Sequence, residues 1–287
     1  MENLDNARRY GVEVEFICSM SKENLARRIY AETGQDILCT YYSDKTNRWR
    51  LKSDQSIRTE SGYTYAMELV TPILKGEDDM QKLRAILDVC DVYGKVNRSC
   101  GVHVHIDITD EQELPLRRIM KFFAKYEKSI GKLLPESRRG DNNGYCRDSF
   151  NNGTSLTQVY RYLNGKGIRA LLGSRYFSGR GKWNFQNYWR QGTVENRAHS
   201  GTLSAWKVDN WVRLTQGIIH VAINSRGETI RQGDTTETYT VKALLDNLYK
   251  KKGIGRSVKK FYIKRFKDLN DIDLHWQTKQ TRDEVRG

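Results

Sequence analysis

The sequence predicts an α+β protein built on a largely antiparallel sheet, and three observations lead there. The segments run strand, helix, short strands, helix, strand, helix, hairpin, helices, without a regular βαβ repeat. Acidic and imidazole side chains recur at two-residue spacing in Gly11-Val12-Glu13-Val14-Glu15-Phe16, in Cys100-Gly101-Val102-His103-Val104-His105-Ile106 and in Glu195-Asn196-Arg197-Ala198-His199. Side chains at i and i+2 of a strand share a face, so Glu13 with Glu15 and His103 with His105 form polar pairs over a valine backing. Third, 38% hydrophobic and 29% charged residues with only 3 Pro describe a folded chain with a polar surface, not a disordered one. At 287 residues it stands at the upper limit for one compact domain, and a chain of this size buries about 75% of the surface its unfolded state exposes.

Residues 10–18 read as a strand, and SMSKENLARRIYAETG as a helix opened by Ser21 and closed by Gly34. Short β segments follow at Ile37 to Tyr42, Asn47 to Leu51 and Thr64 to Thr71. DDMQKLRAILDVCDVYG has helical periodicity, acidic residues where the helix dipole favours them and Gly94 as a stop, and it delivers the chain to a strand at Gly101 to Ile108. In EQELPLRRIMKFFAKYEKSIGKLL the apolar positions 116, 119, 120, 123, 126 and 130 form one helix face, with Asp110 as the expected cap. The polar stretch 135–155 is a loop long enough to have a function of its own. Lys182 to His199 reads as a hairpin turning at Gln191-Gly192, and Leu203 to Ile223 as a helix with Trp206, Trp211, Leu214 and Ile218 inward. The domain reading is one unit over 1–235 followed by a basic helical extension over 236–287, packed on it or appended to it.

The formal net charge is +14, concentrated in KKKGIGRSVKKFYIKRFK from Lys250 to Lys267, and it favours anionic partners, nucleic acid and ATP both qualifying. For the C-terminal run a solubilising face on an amphipathic helix containing Phe261, Tyr262 and Phe266 is the simpler reading. The five cysteines are scattered without a CxxC pair or a disulfide-framework spacing, which implies a reducing compartment, and Cys100 reads as a structural thiol. MENLDNARRYG lacks a signal-peptide core and no stretch approaches the roughly 20 apolar residues of a membrane span, so a cytoplasmic location without a membrane partner is expected.

Two carboxylates on one strand face repel each other and lose hydration when covered, which calls for cations. A divalent metal is the economical answer. Glu68, in Tyr65-Ala66-Met67-Glu68-Leu69-Val70, is a third carboxylate on an apolar-backed β segment. With Glu195 and one imidazole it makes a mixed oxygen and nitrogen shell suited to Mg²⁺ or Mn²⁺ holding phosphate oxygens. For one pair alone, glutamates facing water would suffice as an explanation; three segments of this kind favour a site. Either His103 or His105 is the metal ligand, the other facing substrate. Arg197 projects to the face of Glu195, where a guanidinium neutralises a transferring phosphoryl group, and His199 continues that face. Trp49 to Ser56 adds Lys52, Asp54 and Ser56 at further two-residue spacing.

Together GVEVEF, KSDQS, MELVTP, CGVHVHI and ENRAHSGTL followed by Trp211-Val212-Arg213-Leu214 resemble, in order from about residue 10 to about 215, the motifs of the amidoligase family within the carboxylate-amine ligase superfamily. Glutamine synthetase and glutamate-cysteine ligase are relatives there. The resemblance implies a glutamine synthetase-like catalytic domain, its sheet presenting an open acidic face with helices packed on the other. It also implies an ATP-dependent ligase that activates a carboxylate substrate as an acyl phosphate for attack by an amine substrate. By that resemblance Glu13, Glu15, Glu68, His103 or His105, and Glu195 hold Mg²⁺ or Mn²⁺. Glu15, Glu195 and Arg197 are catalytic, and Lys52, Asp54, Ser56, His105 and His199 line the nucleotide or substrate end. The loop with Arg138, Arg139, Asp141, Asn142, Asn143 and Arg147 is expected to close over nucleotide or acceptor. The basic C-terminal segment falls outside the resemblance and is available for polyanion contact. The competing readings are a metal-dependent nuclease using Lys52 and the HxH pair, and a nonenzymatic nucleic-acid-binding scaffold.

Overall fold

The computed structural model describes residues 3–40, 46–140, 143–225 and 228–270. The chain divides into two units, one of Asn3–Asp107 with His199–Val212 and a second of Ile108–Ala198 with the chain from Arg213 onward.

The first unit runs β1 (Tyr10–Cys18), α1 (Lys22–Thr33), β2 (Leu38–Thr40), β3 (Arg50–Ser53), β4 (Tyr65–Val70), α2 (Gly76–Tyr93), β5 (Gly94–Lys95) and β6 (Gly101–Asp107). The strand order is β2-β3-β4-β1-β6 with β5 also on β1, and every pairing is antiparallel except β2 with β3. Alternation sorts the side chains. Leu51, Met67, Leu69, Val12, Val14, Phe16, Val102, Val104 and Ile106 fall on one face and are all buried, each contributing about 1.5–3 kcal/mol by leaving water. Lys52, Glu68, Glu13, Glu15, His103 and His105 occupy the other.

The helix ends follow local chemistry. Ser21 caps α1 by accepting the Asn24 N–H at 3.3 Å, and Gly34 closes it at φ +71°, donating its N–H to the Tyr30 carbonyl. Lys22 ties α1 to β2 and β3, donating to the Thr40 carbonyl at 2.7 Å and to Ser53 Oγ at 3.2 Å. At α2 the capping oxygen is remote in sequence: Asp5 accepts the Glu77 N–H at 2.9 Å while Glu77 accepts the Leu4 N–H at 2.8 Å. Gly94 ends α2 as the sequence indicates. The β segments are shorter than read from sequence, and Tyr42 lies outside the described residues.

The second unit contains α3 (Glu113–Lys132), α4 (Leu156–Gly165), α5 (Ile168–Leu172), β7 (Trp183–Asn184), α6 (Tyr188–Gln191), β8 (Thr193–Ser200) through Ala198, α7 (Ala205–Asn224) from Arg213, α8 (Val241–Lys250) and α9 (Arg256–Leu269). The whole predicted stripe of α3 is buried, Phe123 stacking on Trp183 with ring centroids 3.6 Å apart. Gln112, not Asp110, precedes the first turn of α3. The hairpin is real as the antiparallel pair β7–β8, but its connection is not a tight turn: α6 fills it and Gly192 ends that helical turn at φ +68°. Trp206 corrects another expectation. It is 53% exposed, because the buried run of α7 starts two residues later at Val208. The described part of 135–155 is pinned, not free-standing: Glu127 accepts the N–H groups of Ser149 and Phe150 at 2.7 and 3.1 Å, and Asp148 pairs with Lys128 and the fully buried Lys182. Asp141 and Asn142 lie outside the described residues. Among the described residues no helix is long and apolar enough to cross a membrane.

Gly201 donates its N–H to the Cys100 carbonyl at 2.8 Å, and a Cβ there would meet the Cys100 Cβ at 2.4 Å. Gly201→Ala should therefore destabilise the protein by about 1–3 kcal/mol, read as a lower urea midpoint, whereas Gly165→Ala, with open space around it, should not lower that midpoint.

Candidate metal centre

Strand register assembles the polar face row by row. In one row Lys52 of β3 stands opposite Glu68 of β4, which stands opposite Glu15 of β1. In the next, Glu13 of β1 stands opposite His103 of β6, and Gly11 opposite His105. Three carboxylates, two imidazoles and one ammonium are thereby gathered from four strands.

The contacts are specific. Glu13 Oε2 lies 3.2 Å from His103 Nδ1 and its Oε1 lies 3.6 Å from His105 Nε2. Glu15 Oε1 is 3.8 Å from His103 Nε2, and its Oε2 accepts the Gly101 N–H at 2.6 Å. Lys52 forms an ion pair with Glu68. Glu15, Glu68, His103 and His105 are buried and Glu13 is half-buried. Asp54, just past β3, accepts the Ser56 N–H at 2.8 Å and shapes the turn that leaves Ser56 exposed.

Burial and neighbours drive these carboxyls apart in acidity. Burial pushes the Glu68 carboxyl up, the charge of Glu13 adds to it, and Lys52 offsets only part, leaving Glu68 at about 8. Burial also opposes ionisation of Glu13, but the charge of His105 and hydrogen bonds from His103 and His105 outweigh it and hold Glu13 well below the usual carboxylate range. The ammonium of Lys52 loses hydration on burial, yet the Glu68 carboxylate beside it raises its affinity for its proton.

Two sets of potential ligand atoms lie within 4.8 Å of one another here: Glu13, Glu68 and His103, and Glu15, Asp54 and Glu68. Hard oxygens with one imidazole suit Mg²⁺ or Mn²⁺, and the crowding that keeps a proton on Glu68 is what a dication would relieve. The donor set fits such an ion. Asp54 is placed among the metal-capable carboxylates, although the sequence marked it for the nucleotide end.

In the second unit Glu195 is buried on β8 and accepts from three donors: Asn184 and Asn187, each at 2.7 Å to Oε2, and Arg197 at 2.5 Å to Oε1. Asn184 is its cross-strand partner. Neither asparagine carried a sequence signal, since one meets Glu195 through register and the other sits at the start of the turn formed by α6. His199 is buried, 5.0 Å from the Trp211 ring, with Nδ1 2.6 Å from the Ser200 carbonyl oxygen.

The fold and this face define an α+β protein with a largely antiparallel sheet and a carboxylate and imidazole centre suited to a divalent cation. Residues 6–219 match the Amidoligase_2 family, described as "putative amidoligase enzyme", and the chain belongs to that family. The comparison with curated proteins returns no match. Among solved structures, the chain is similar to a bifunctional glutathione synthetase from Pasteurella multocida, at 12% identity and a TM-score of 0.46, over 99% of this chain and 52% of that one. It thus spans about half the length of that protein.

A metal ion must displace the proton of Glu68, so Mn²⁺ binding at pH 7 should release protons, and affinity should rise with pH up to about 8. In the metal-free protein the folded state holds this proton more tightly than the unfolded chain, so this group costs stability as pH rises from 4.5 to about 8. Calorimetry in buffers of different ionisation enthalpy reads the first effect; Glu68→Gln should weaken binding and lower the number of protons released.

Proposed function

We propose that this protein is an ATP-dependent carboxylate-amine ligase that uses Mg²⁺ or Mn²⁺ and passes through an acyl phosphate. The observation that carries the reading is the register Lys52–Glu68–Glu15 beside Glu13–His103 in a chain of the amidoligase family. An ATP-dependent ligase must hold a polyphosphate, and an acidic face can do so only through bridging cations.

The chemistry balances in two steps. A carboxylate oxygen of the substrate attacks the γ-phosphorus of ATP, the bond to the bridging oxygen breaks and ADP departs. An amine then attacks the acyl carbon, the C–N bond forms as phosphate leaves, and the amine loses a proton. Glu13, Glu15, Glu68 and His103 would hold the divalent ion, which when bound supplies charge neutralisation for phosphate oxygens. Asp54 and Lys52 adjust the charge of that face, and Ser56 and His105 offer polar contacts to nucleotide or substrate. Arg197, its guanidinium fixed by Glu195, presents a preorganised cation to the transferring phosphoryl group. Asn184 and Asn187 hold Glu195 in the orientation that fixes Arg197. His199, packed on Trp211, steadies the end of β8.

Purified protein with ATP and Mg²⁺ or Mn²⁺ should release ADP in the presence of the right pair from a panel of amino acids, polyamines and peptides. The product should be lighter than the summed substrates by one water. Glu15→Ala and Arg197→Ala should each lower that rate by about 10²–10³-fold. ADP release unaffected by both substitutions, or plasmid cleavage that disappears in Glu13→Ala, would remove the ligase reading.

A further inference from the structure

Residues 250–270 hold nine Lys and Arg against a single acid, Asp268, so this short segment accounts for eight of the fourteen net positive charges of the chain. A basic helix usually serves solubility. The structure adds three features that solubility does not require.

The helix α9 is fixed. Val258, Tyr262 and Phe266 are each at most 2% exposed. Arg265 Nε donates to the Leu133 carbonyl at 2.8 Å, and Asn270 donates to the Lys132 carbonyl at 3.0 Å. Its outer side then carries Arg256, Lys260, Lys264 and Lys267 at four-, four- and three-residue spacing, which is a single stripe on a helix. That stripe is about 16 Å long at ~1.5 Å per residue.

Compensation is partial, and Lys251 is paired with Glu228 at 3.5 Å. Lys259 is engaged by Asp246 at 2.7 Å, and Lys264 meets Asp268 in a pair whose side chains are 77% and 57% exposed, a type of pair that gives way readily to a competing anion. Among the described residues Lys250, Lys252, Lys260 and Lys267 form no ion pair. The stripe also has company: beside the last turn of α9, where Arg139 donates to the Leu269 carbonyl at 3.2 Å, an open pocket of about 430 Å³ is lined by Lys128, Lys132 and Arg139, with Asp148 and Glu237 the acids in its wall.

We infer that the outer face of α9 is a docking ridge for the phosphodiester backbone of a nucleic acid. A regular row of cations matches a polymer with one charge per repeat. A membrane fits less well, because a helix that lies in a lipid interface inserts its apolar face, and here that face is buried within the second unit. The contact is to backbone phosphate, so it reads no base sequence and places the catalytic chain on a nucleic acid or on something carried by one.

The test is fluorescence anisotropy of the intact chain with labelled 20-nucleotide single-stranded DNA, RNA and duplex DNA across a salt series. Four phosphate contacts give a slope of log K against log salt of about −3.6 for duplex DNA and about −2.8 for the single strands, and Lys260→Glu, Lys264→Glu and Lys267→Glu combined should bring it to about −1 or shallower with roughly 100-fold weaker binding. Lys75→Glu, Lys166→Glu and Lys207→Glu combined make the same change in net charge at exposed sites elsewhere and should leave affinity within about threefold. Circular dichroism and Tm confirm that both variants fold. Equal loss in the two variants, no binding by the unaltered chain, or tighter binding to anionic lipid vesicles than to any nucleic acid would overturn the inference. The readout needs no turnover, so it stands or falls apart from the ligase reading.

Discussion

The constraint on which the rest of the first unit depends is the mutual repulsion of Glu13, Glu15 and Glu68 on one face of the sheet. Two of them are buried, in surroundings where an isolated carboxylate is strongly disfavoured. The fold sets its local polar groups against this: the Gly101 N–H and the imidazole of His103 on Glu15, both imidazoles on Glu13 and the ammonium of Lys52 on Glu68. That supply is insufficient, and burial with the charge of Glu13 still pushes the Glu68 carboxyl up to about 8. An arrangement of this kind costs stability and would gain from a dication, and its carboxylates are already gathered by strand register alone.

The apolar face makes that cost tolerable. Val12, Val14 and Phe16 on β1, Met67 and Leu69 on β4, and Val102, Val104 and Ile106 on β6 alternate with the charged set and are all buried, so the strands are held from behind while their polar face is strained electrostatically. Close approach of the chain at Gly201 to Cys100 and the capping of α2 by Asp5 belong to the same framework. In the second unit the solution differs. Glu195 is held by two amides and a guanidinium, so its charge is met by donors within the same unit.

Much of this was legible in the sequence because a period of two is a strong and local signal. Glu13 with Glu15 and His103 with His105 could share a face in only one kind of element, and the buried stripe of α3 was equally plain at its helical period. What was not legible is register. The sequence could name Lys52, Glu68 and Glu15 as members of a site, but not that they form one cross-strand row, nor that Asp54 approaches Glu68 closely enough to share an ion. Asn184 and Asn187 were missed for the same reason, since a cross-strand neighbour and a residue opening a short helical turn leave no periodic trace. Trp206 was misplaced because helical period extrapolates an apolar stripe into a first turn that faces water. Gly192 was rightly marked as a turning point, yet its left-handed backbone ends a helical turn and does not close a two-residue hairpin.

The central claim is that this acidic face is a divalent-metal centre, and anomalous diffraction from crystals grown with Mn²⁺ tests it most directly. The account predicts an anomalous peak among the carboxylates of Glu13 and Glu68 and the imidazole of His103, absent in crystals of Glu13→Gln. Manganese peaks confined to other surfaces, with the Lys52–Glu68 ion pair and the Glu13–His103 contact unchanged, would contradict it.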